Sequence, residues 1–204
     1  TNSLNKEDAI KYYIEALPYQ LVKFNKAAIL DTIGLFNWQL GNFPEAIIYF
    51  EQSLSLFDEL QDSLWLGKLN NNLGAVNRGL GNSIEALEYY QAALNIRRSI
   101  KDMLGVSNIL NNIGLAYAAM GKSQLALNHY LLAEPLYQEY GSEIDKIDIA
   151  YNIALLYLKL GDYEQTVTQL KRVIEKRKAI NEWQGVSQAN KDIALAYNYL
   201  GEFK

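Results

Sequence analysis

Residues 111–121 read Asn-Asn-Ile-Gly-Leu-Ala-Tyr-Ala-Ala-Met-Gly, and related phrases recur at a fixed interval in both directions along the chain. The small residue at the fourth place of the phrase returns every 40 residues, as Gly34, Gly74, Gly114, Ala154 and Ala194. The glycine that closes the phrase keeps the same interval, as Gly41, Gly81, Gly121, Gly161 and Gly201. An interval kept without insertion or deletion over roughly 165 residues indicates an array of structural repeats.

Each interval contains the pattern of two amphipathic helices. In the second interval, Leu69, Leu73 and Val76 fall on one face when residues advance by about 100° each. Gly81 then marks the end of that helix, because glycine readily takes the left-handed conformation found at helix ends. Capping boxes that start the following helices are predicted at Asn42 with Glu45, Asn82 with Glu85, Ser142 with Asp145, and Asp162 with Gln165. The sequence therefore predicts an all-α fold of about ten antiparallel helices.

Three of the recurring glycines lie inside predicted helices. At Gly34, Gly74 and Gly114, glycine costs about 1 kcal/mol of helix stability relative to alanine. Close approach of the facing helix would compensate, because a glycine has no Cβ. Alanine, the next-smallest residue, stands at the matching places 154 and 194, which favours the same packing interpretation.

The repeated pattern resembles the tetratricopeptide repeat. The resemblance is clearest in Asn112-Ile113-Gly114-Leu115-Ala116-Tyr117 followed by Gly121 and Ala126, and it spans nearly the whole chain. The 40-residue interval exceeds the family's usual length of about 34 residues. It is similar to the longer repeats of kinesin light chains, of a spindle-orientation adaptor, and of bacterial signalling and peptide-pheromone receptor proteins. The resemblance implies a right-handed α-α superhelix whose first helices line a concave groove.

The register of the repeats predicts how the array is divided. Residues 1–19 would form the second helix of a preceding repeat, and residues 182–204 would supply the first helix of a truncated one. Between them the predicted repeats span 20–60, 61–101, 102–140 and 141–181. Because neither end carries the polar cap that normally closes such an array, we expect a single array cut from a longer protein.

The first helices carry the candidate ligand-binding residues. An asparagine recurs two places before the small residue, as Asn72, Asn112 and Asn152, and Leu115 or Leu155 follows the small residue. Asparagine is unfavourable inside a helix, but its amide could hold the backbone of an extended peptide, as the matching asparagines of the family do. Alternatively, these amides bond neighbouring helices or face water. The full candidate set is Lys68, Asn71, Asn72, Arg78, Asn108, Asn111, Asn112, Leu115, Tyr151, Asn152, Leu155 and Lys159.

The charges on this face are mixed. Lys68 and Arg78 could meet an acidic group of a ligand, although surface cations without a binding role are at least as common. A carboxylate clamp of the family's kind would need cations one repeat later, where this chain has Asn108 and Asn112. A ligand held by its C-terminal carboxylate is therefore not expected.

The composition excludes several classes of function. A net charge of −4 provides no basic surface for nucleic acid or for an anionic membrane. The absence of cysteine and the single histidine, His129, remove thiolate metal sites and most nucleophile–base pairs. No apolar run approaches the roughly 20 residues of a bilayer span. We therefore expect no catalytic residues, no metal and no cofactor in this segment.

Two interpretations of function stay open. The favoured one is a non-catalytic, cytoplasmic scaffold that binds a protein or peptide partner, within a bacterial signalling or regulatory protein. The alternative is a structural module that self-associates through open repeat ends near Tyr12 or Tyr197. If the protein were an enzyme or a small-molecule receptor, that activity would lie outside this segment.

Overall fold

The computed structural model describes the backbone of residues 2–201 and the side chains of residues 5–201. Within that part the prediction of an all-α fold is confirmed, because the described chain contains helices and turns and no strand. A short 3-10 helix, Leu17–Tyr19, follows the first α-helix. The α-helices are α1 Asn2–Ala16, α2 Lys23–Leu40, α3 Phe43–Glu59, α4 Ser63–Gly79, α5 Ser83–Ser99, α6 Met103–Ala119, α7 Ser123–Tyr140, α8 Glu143–Leu160, α9 Tyr163–Ala179 and α10 Trp183–Leu200.

The helices form two compact units, Thr1–Asp102 and Met103–Lys204. In the first unit, α2 packs on α3, α3 on α4, and α4 on α5, while α1 packs on α2. In the second unit, α6 to α10 pack in the same consecutive manner. Since the connections are short, consecutive helices within each unit run antiparallel. The first helices of the repeats are α2, α4, α6, α8 and α10. Within each unit these first helices also touch one another, α2 with α4 and α8 with α10.

The recurring glycines end the first helices as the sequence predicts. All five, from Gly41 to Gly201, have φ values between 72° and 85°. An L-residue with a Cβ pays a steric cost in this left-handed region, whereas glycine does not. The glycines that recur every 40 residues therefore mark the backbone reversals between the two helices of each repeat.

The predicted capping boxes are only partly right. At α8 the box is complete, since Ser142 accepts from the Asp145 N–H and the Ser142 N–H donates to Asp145 Oδ2 at 2.8 Å. Asp162 caps α9 by accepting from the Gln165 N–H at 3.1 Å. The predictions at Asn42 and Asn82 are wrong, because neither side chain makes a capping bond. Carboxylates accept N–H groups more strongly than neutral amides and also suit the helix dipole, which agrees with this difference.

The interior glycines face aromatic rings of the following helix, which confirms the predicted close approach. A Cβ on Gly34 would lie 2.7 Å from ring carbons of Phe50, and one on Gly74 would lie 2.6 Å from those of Tyr90. Both rings are completely buried. In the fourth repeat, alanine replaces glycine and leucine replaces the ring, as Ala154 and Leu170, and both are buried in the core of the second unit.

Candidate ligand-binding face of the first helices

In the first unit, the candidate face is organised around a buried carboxylate on α2. Asp31 is only 2% exposed and accepts from Lys68 Nζ at 2.8 Å and from Asn72 Nδ2 at 3.2 Å. The Lys68 ammonium also lies 4.2 Å from the centre of the Trp65 ring. Both side chains were predicted as ligand contacts, and both are engaged with the neighbouring repeat. Lys68 is therefore a poor candidate for meeting an acidic ligand group.

Arg78 differs from Lys68 because it has no ion-pair partner among residues 5–201. Its Nε is buried without a hydrogen-bond partner in the same part of the chain. Arg78 lies beside Tyr90: burial raises the pKa of that phenol, and the guanidinium offsets part of the rise. Of the two cations predicted in the first unit, Arg78 is thus the one without a carboxylate partner among the described residues. Asn71, half-buried on the same helix, takes part in further contacts.

In the second unit, the predicted asparagines are tied to neighbouring helices. Asn152 Nδ2 on α8 donates to Asn111 Oδ1 on α6 at 3.2 Å. Asn108 Oδ1 accepts from the Tyr137 hydroxyl at 2.8 Å. These bonds match the alternative interpretation, in which the amides join adjacent helices. They leave the Nδ2 groups of Asn108 and Asn111 and the Oδ1 of Asn152 for other partners. Asn112 is half-buried and makes contacts of its own.

These amides line a pocket of about 240 Å³ in the second unit. Sequence reasoning missed three of its members, Tyr137, Asp145 and Ile149. Tyr137 belongs to the end of a second helix, and the repeat pattern gives no sign that its hydroxyl reaches the first-helix face. Burial, followed by the charges of Asp145 and Asp148, raises the pKa of this phenol, so that it remains a hydrogen-bond donor. The pocket is lined by Asn108, Asn111, Tyr137, Asp145, Asp148, Ile149 and Asn152.

The remaining predicted residues of the second unit are not among those that line this pocket. Tyr151 donates its hydroxyl to Asp192 Oδ2 at 2.7 Å, and burial together with this carboxylate raises its pKa to about 12. Lys159 Nζ lies 3.5 Å from the carbonyl oxygen of Ala118. Leu115 and Leu155 are half-buried, so each has apolar surface available for a ligand side chain.

A buried arginine on α9 pairs with one of the residues that line this pocket, and the repeat pattern gives no sign of it. Arg177 is 8% exposed and pairs with Asp148 Oδ1 at 3.2 Å and with Glu182 Oε2 at 2.9 Å. Its guanidinium lies 4.8 Å from the centre of the Tyr151 ring. Burial raises the pKa of Asp148, and Arg177 opposes that rise. Arg177 thus fixes Asp148, which lines the pocket, and Glu182, which does not.

The described residues contain no group of three histidine, cysteine, aspartate or glutamate side chains that could hold a metal ion. His129 stacks on Tyr117 with 5.3 Å between ring centres, and burial lowers its pKa. A neutral, packed imidazole results near pH 7. Among the helices between residues 2 and 201, none combines the length and hydrophobicity that a bilayer crossing requires.

Comparison with known proteins gives matches by family pattern and by structure. One tetratricopeptide repeat model matches residues 25–99 and 65–139, and a second matches residues 148–177. The structure is similar to BtubC (BKLC) from P. vanneervenii, with a TM-score of 0.82 and 18% identity over 98% of this chain and 84% of that one. Among curated proteins, a sequence search finds no significant match.

Two further structures come from signalling and regulatory proteins. A Signal Transduction ATPase with Numerous Domains from Pyrococcus horikoshii, which has a tetratricopeptide repeat sensor, has a TM-score of 0.84 and 22% identity over 94% of this chain and 30% of its own. The Rap conjugation gene regulator of plasmid pLS20, solved with the Phr* peptide, has a TM-score of 0.76 and 15% identity over 97% of this chain and 59% of its own. At these identities the likeness shows the fold alone, and the chain spans less than two thirds of either protein.

Proposed function

Because the chain belongs to the tetratricopeptide repeat family, whose members serve as protein-interaction scaffolds, we propose that it binds an extended peptide segment along its first helices without catalysing a reaction. One observation carries the proposal. The polar pocket between α6 and α8 presents amide groups that the interhelix bonds leave unused. Its surface is therefore able to exchange hydrogen bonds with a polypeptide backbone.

The roles of the pocket residues follow from which atoms are already bonded. Asn111 Nδ2 and Asn108 Nδ2 can donate to carbonyl oxygens of a bound chain, and Asn152 Oδ1 can accept from one of its N–H groups. Leu155 offers an apolar contact to a side chain of the same segment. Interhelix bonding and ligand binding are thus compatible, because each amide uses one end for the fold and the other for the ligand.

The biological setting in this proposal is a bacterial signalling or regulatory protein of the cytoplasm. Support comes from the two similar structures, a signal transduction ATPase with a repeat sensor and a conjugation gene regulator solved with a peptide. In the first unit, Arg78 is proposed to bind an acidic group of the partner, since no described carboxylate neutralises it.

Replacing Asn108 and Asn111 together by aspartate is expected to weaken peptide binding at least about tenfold. Aspartate keeps the Oδ1 acceptors that Tyr137 and Asn152 use, so the interhelix bonds persist. The change removes the two donor groups and places negative charge where a backbone carbonyl would lie. Binding is measured by panning a random heptapeptide display library on the wild type and titrating the enriched peptides into both proteins.

Asn95 and Asn128 provide the matched control. Both are exposed on second helices, and each accepts from a glutamine four residues earlier. The double change Asn95→Asp and Asn128→Asp therefore adds the same charge away from the pocket and should leave affinity unchanged. Equal binding by the pocket variant and this control, with both folded by circular dichroism, would show that the first-helix face is not the binding surface.

Self-association is a second candidate, favoured by apolar residues exposed near the N-terminal end. Tyr12 is 70% exposed and Leu21 is 98% exposed. If these residues join copies, sedimentation velocity will show concentration-dependent dimers that Tyr12→Glu with Leu21→Glu abolishes. The control pair Ile84→Glu and Leu132→Glu alters exposed apolar residues elsewhere and should retain the dimers. A purely monomeric wild type at all concentrations would contradict this function. Tyr197, the other predicted contact, is half-buried with Lys171 5.6 Å over its ring.

A further inference from the structure

The first unit contains a second pocket, which is distinct from the peptide-binding face proposed above. It has a volume of about 350 Å³ and lies among α3, α4 and α5. Ligand-binding pockets typically occupy about 300–1,000 Å³, so this one is large enough for one or two large side chains. Its lining residues are Glu51, Leu54, Ser55, Asp58, Leu66, Asn70 and Ile96.

The pocket opens on the side of α4 opposite the first-helix face. Leu66 and Asn70 lie one turn apart on one side of α4, whereas Lys68 and Asn72 project from the other side at about 100° per residue. The Asn70 amide donates to the Leu66 carbonyl at 2.8 Å, so its donor is partly satisfied within the helix. A partner in this pocket would therefore not compete with a peptide on the first-helix face.

The floor of the pocket is apolar and firmly held. Leu54 and Leu66 are half-buried and pack against the core cluster of the first unit on their inner sides. Ile96, from α5, completes the floor and is also half-buried. Since these side chains are anchored on one side and open on the other, an apolar group could be buried against them without rearrangement of the core.

The rim of the pocket is negatively charged. Glu51 and Asp58 are exposed on α3, and neither forms an ion pair with any described residue. Seven residues of helix separate them by about 10.5 Å along the axis. The negative charge also affects the nearby phenol of Tyr89. Burial first, and then the charges of Glu51 and Glu88, raise the pKa of this phenol. Two uncompensated carboxylates thus stand at either end of an apolar floor.

This combination is not a general consequence of the repeat. Eighty residues later, the second unit has Leu131 in place of Glu51 and Gln138 in place of Asp58. Charged residues replace the apolar floor, at Glu134 for Leu54, Lys146 for Leu66 and Lys176 for Ile96. The acidic rim and apolar floor therefore belong to the first unit in particular, although the helices pair in the same way in both.

We propose that this pocket binds an amphipathic helix of a partner that presents one large apolar side chain between two basic residues. The spacing Lys-x-x-Leu-x-x-x-Lys fits, because its two lysines are also about 10.5 Å apart along a helix. The leucine enters the apolar floor while the lysines meet Glu51 and Asp58. The anchoring follows the helix-in-groove mode, with charge complementarity fixing the register. The site is separate from the proposed peptide-binding face and does not depend on it.

The probe is a capped synthetic peptide, Ala-Lys-Ala-Ala-Leu-Ala-Ala-Ala-Lys-Ala-Ala, which is titrated into the full chain. Binding is detected by NMR of the leucine methyl groups of the protein. We expect it to bind at least about tenfold more tightly than the same peptide with glutamates for lysines, or with alanine for leucine. Its affinity should fall as salt is added, because the rim pairs are exposed.

Charge reversal provides the decisive arm of the experiment. Glu51→Lys with Asp58→Lys should reverse the preference, so that the glutamate peptide binds more tightly than the lysine peptide. The control Glu15→Lys with Glu139→Lys changes net charge equally at exposed acids near other helix ends and should preserve the original preference. Folding is checked by circular dichroism, and loss of the wild-type fold is not expected because the reversed carboxylates make no ion pairs. An unchanged preference in the rim variant, or equal binding of all peptides to the wild type, would overturn the proposal.

Discussion

Replacing Gly74 by alanine is expected to destabilise the protein by about 2 kcal/mol, although alanine is the better helix former. The gain in helix propensity is about 1 kcal/mol. Against it stands overpacking, because the new methyl would lie 2.6 Å from two ring carbons of Tyr90. That ring is completely buried and cannot swing into solvent, so the cost should lie at the upper end of the range for overpacking, about 3 kcal/mol. The steric cost therefore exceeds the gain in propensity.

A second substitution should restore much of the lost stability. Tyr90→Leu alone leaves a void beside Gly74 and is expected to cost about 2 kcal/mol. In the double variant, the methyl and the leucine reproduce the pair that the fourth repeat already uses, Ala154 with Leu170. The double variant should then be more stable than the sum of the single changes predicts by about 1.5 kcal/mol or more, as expected for residues in contact.

Urea denaturation followed by circular dichroism measures all four proteins of this cycle. Gly79→Ala is the control, since a Cβ there would lie 3.2 Å from the half-buried ring of Phe43, which has room to move. We expect that control to be neutral or slightly stabilising. If Gly74→Ala instead matched the control, the glycine would serve helix register and not packing against the ring.

The repeat could be derived from sequence because its markers act locally. A glycine at φ near +80° ends a helix wherever it stands, so the interval between such glycines gives the length of the repeat directly. The pairing of each interior glycine with a ring sixteen residues later was also present in the sequence, as Gly34 with Phe50 and Gly74 with Tyr90. It becomes visible only when the facing helix is known.

Capping shows where such local reasoning fails. The motif treats Asn82 and Asp162 alike, but only the carboxylate forms the capping bond. The Asn42 Nδ2 group instead donates a hydrogen bond to Asn37 Oδ1 at 3.4 Å. The choice among neighbours for a neutral amide is decided by tertiary distances, which the spacing of residues does not encode.

For the candidate face, too, the sequence predicts one part of the structure and not another. The periodicity identified which residues share the first-helix face, since that depends on angle within one helix. It did not identify the partners of Asn72 or Asn152, because those bonds join residues 41 apart on different helices. Tyr137 entered the pocket from a second helix, where no periodic signal distinguishes it from a core residue. Side chains that reach between elements are thus the part that sequence patterns leave out.

Arg177→Met is expected to destabilise the protein by about 2–3 kcal/mol near pH 7. Removing one partner of a buried ion pair costs about 3–5 kcal/mol. The lower figure applies here because Asp148 and Glu182 are 59% and 42% exposed and so remain partly hydrated. Methionine fills a similar volume, which limits the contribution of a cavity. Gly185 leaves space for the arginine, since a Cβ at that position would overlap the guanidinium.

The pH dependence distinguishes loss of the ion pair from loss of packing. Asp148 has a folded-state pKa above its unfolded value, so its ionisation opposes folding, and its contribution to stability improves as pH falls through the folded pKa. Arg177 opposes that rise of the pKa, and Arg177→Met should therefore raise the Asp148 pKa further. The deficit of the variant should be largest near pH 7 and smaller at pH 4, because a lower pH moves the carboxylate toward its neutral form.

Urea denaturation at both pH values and a carbon-13 NMR titration of the Asp148 carboxyl test this expectation. Arg172→Met, which changes an exposed arginine of the same helix, should alter neither the stability nor the Asp148 pKa. Arg177→Lys should retain part of the effect, because it keeps the charge but cannot reach Asp148 and Glu182 with separate nitrogens. A deficit independent of pH, with the Asp148 pKa unmoved, would mean that Arg177 acts through its packing on Tyr151. The loss of such packing involves no titrating group, so its effect on stability would not change with pH.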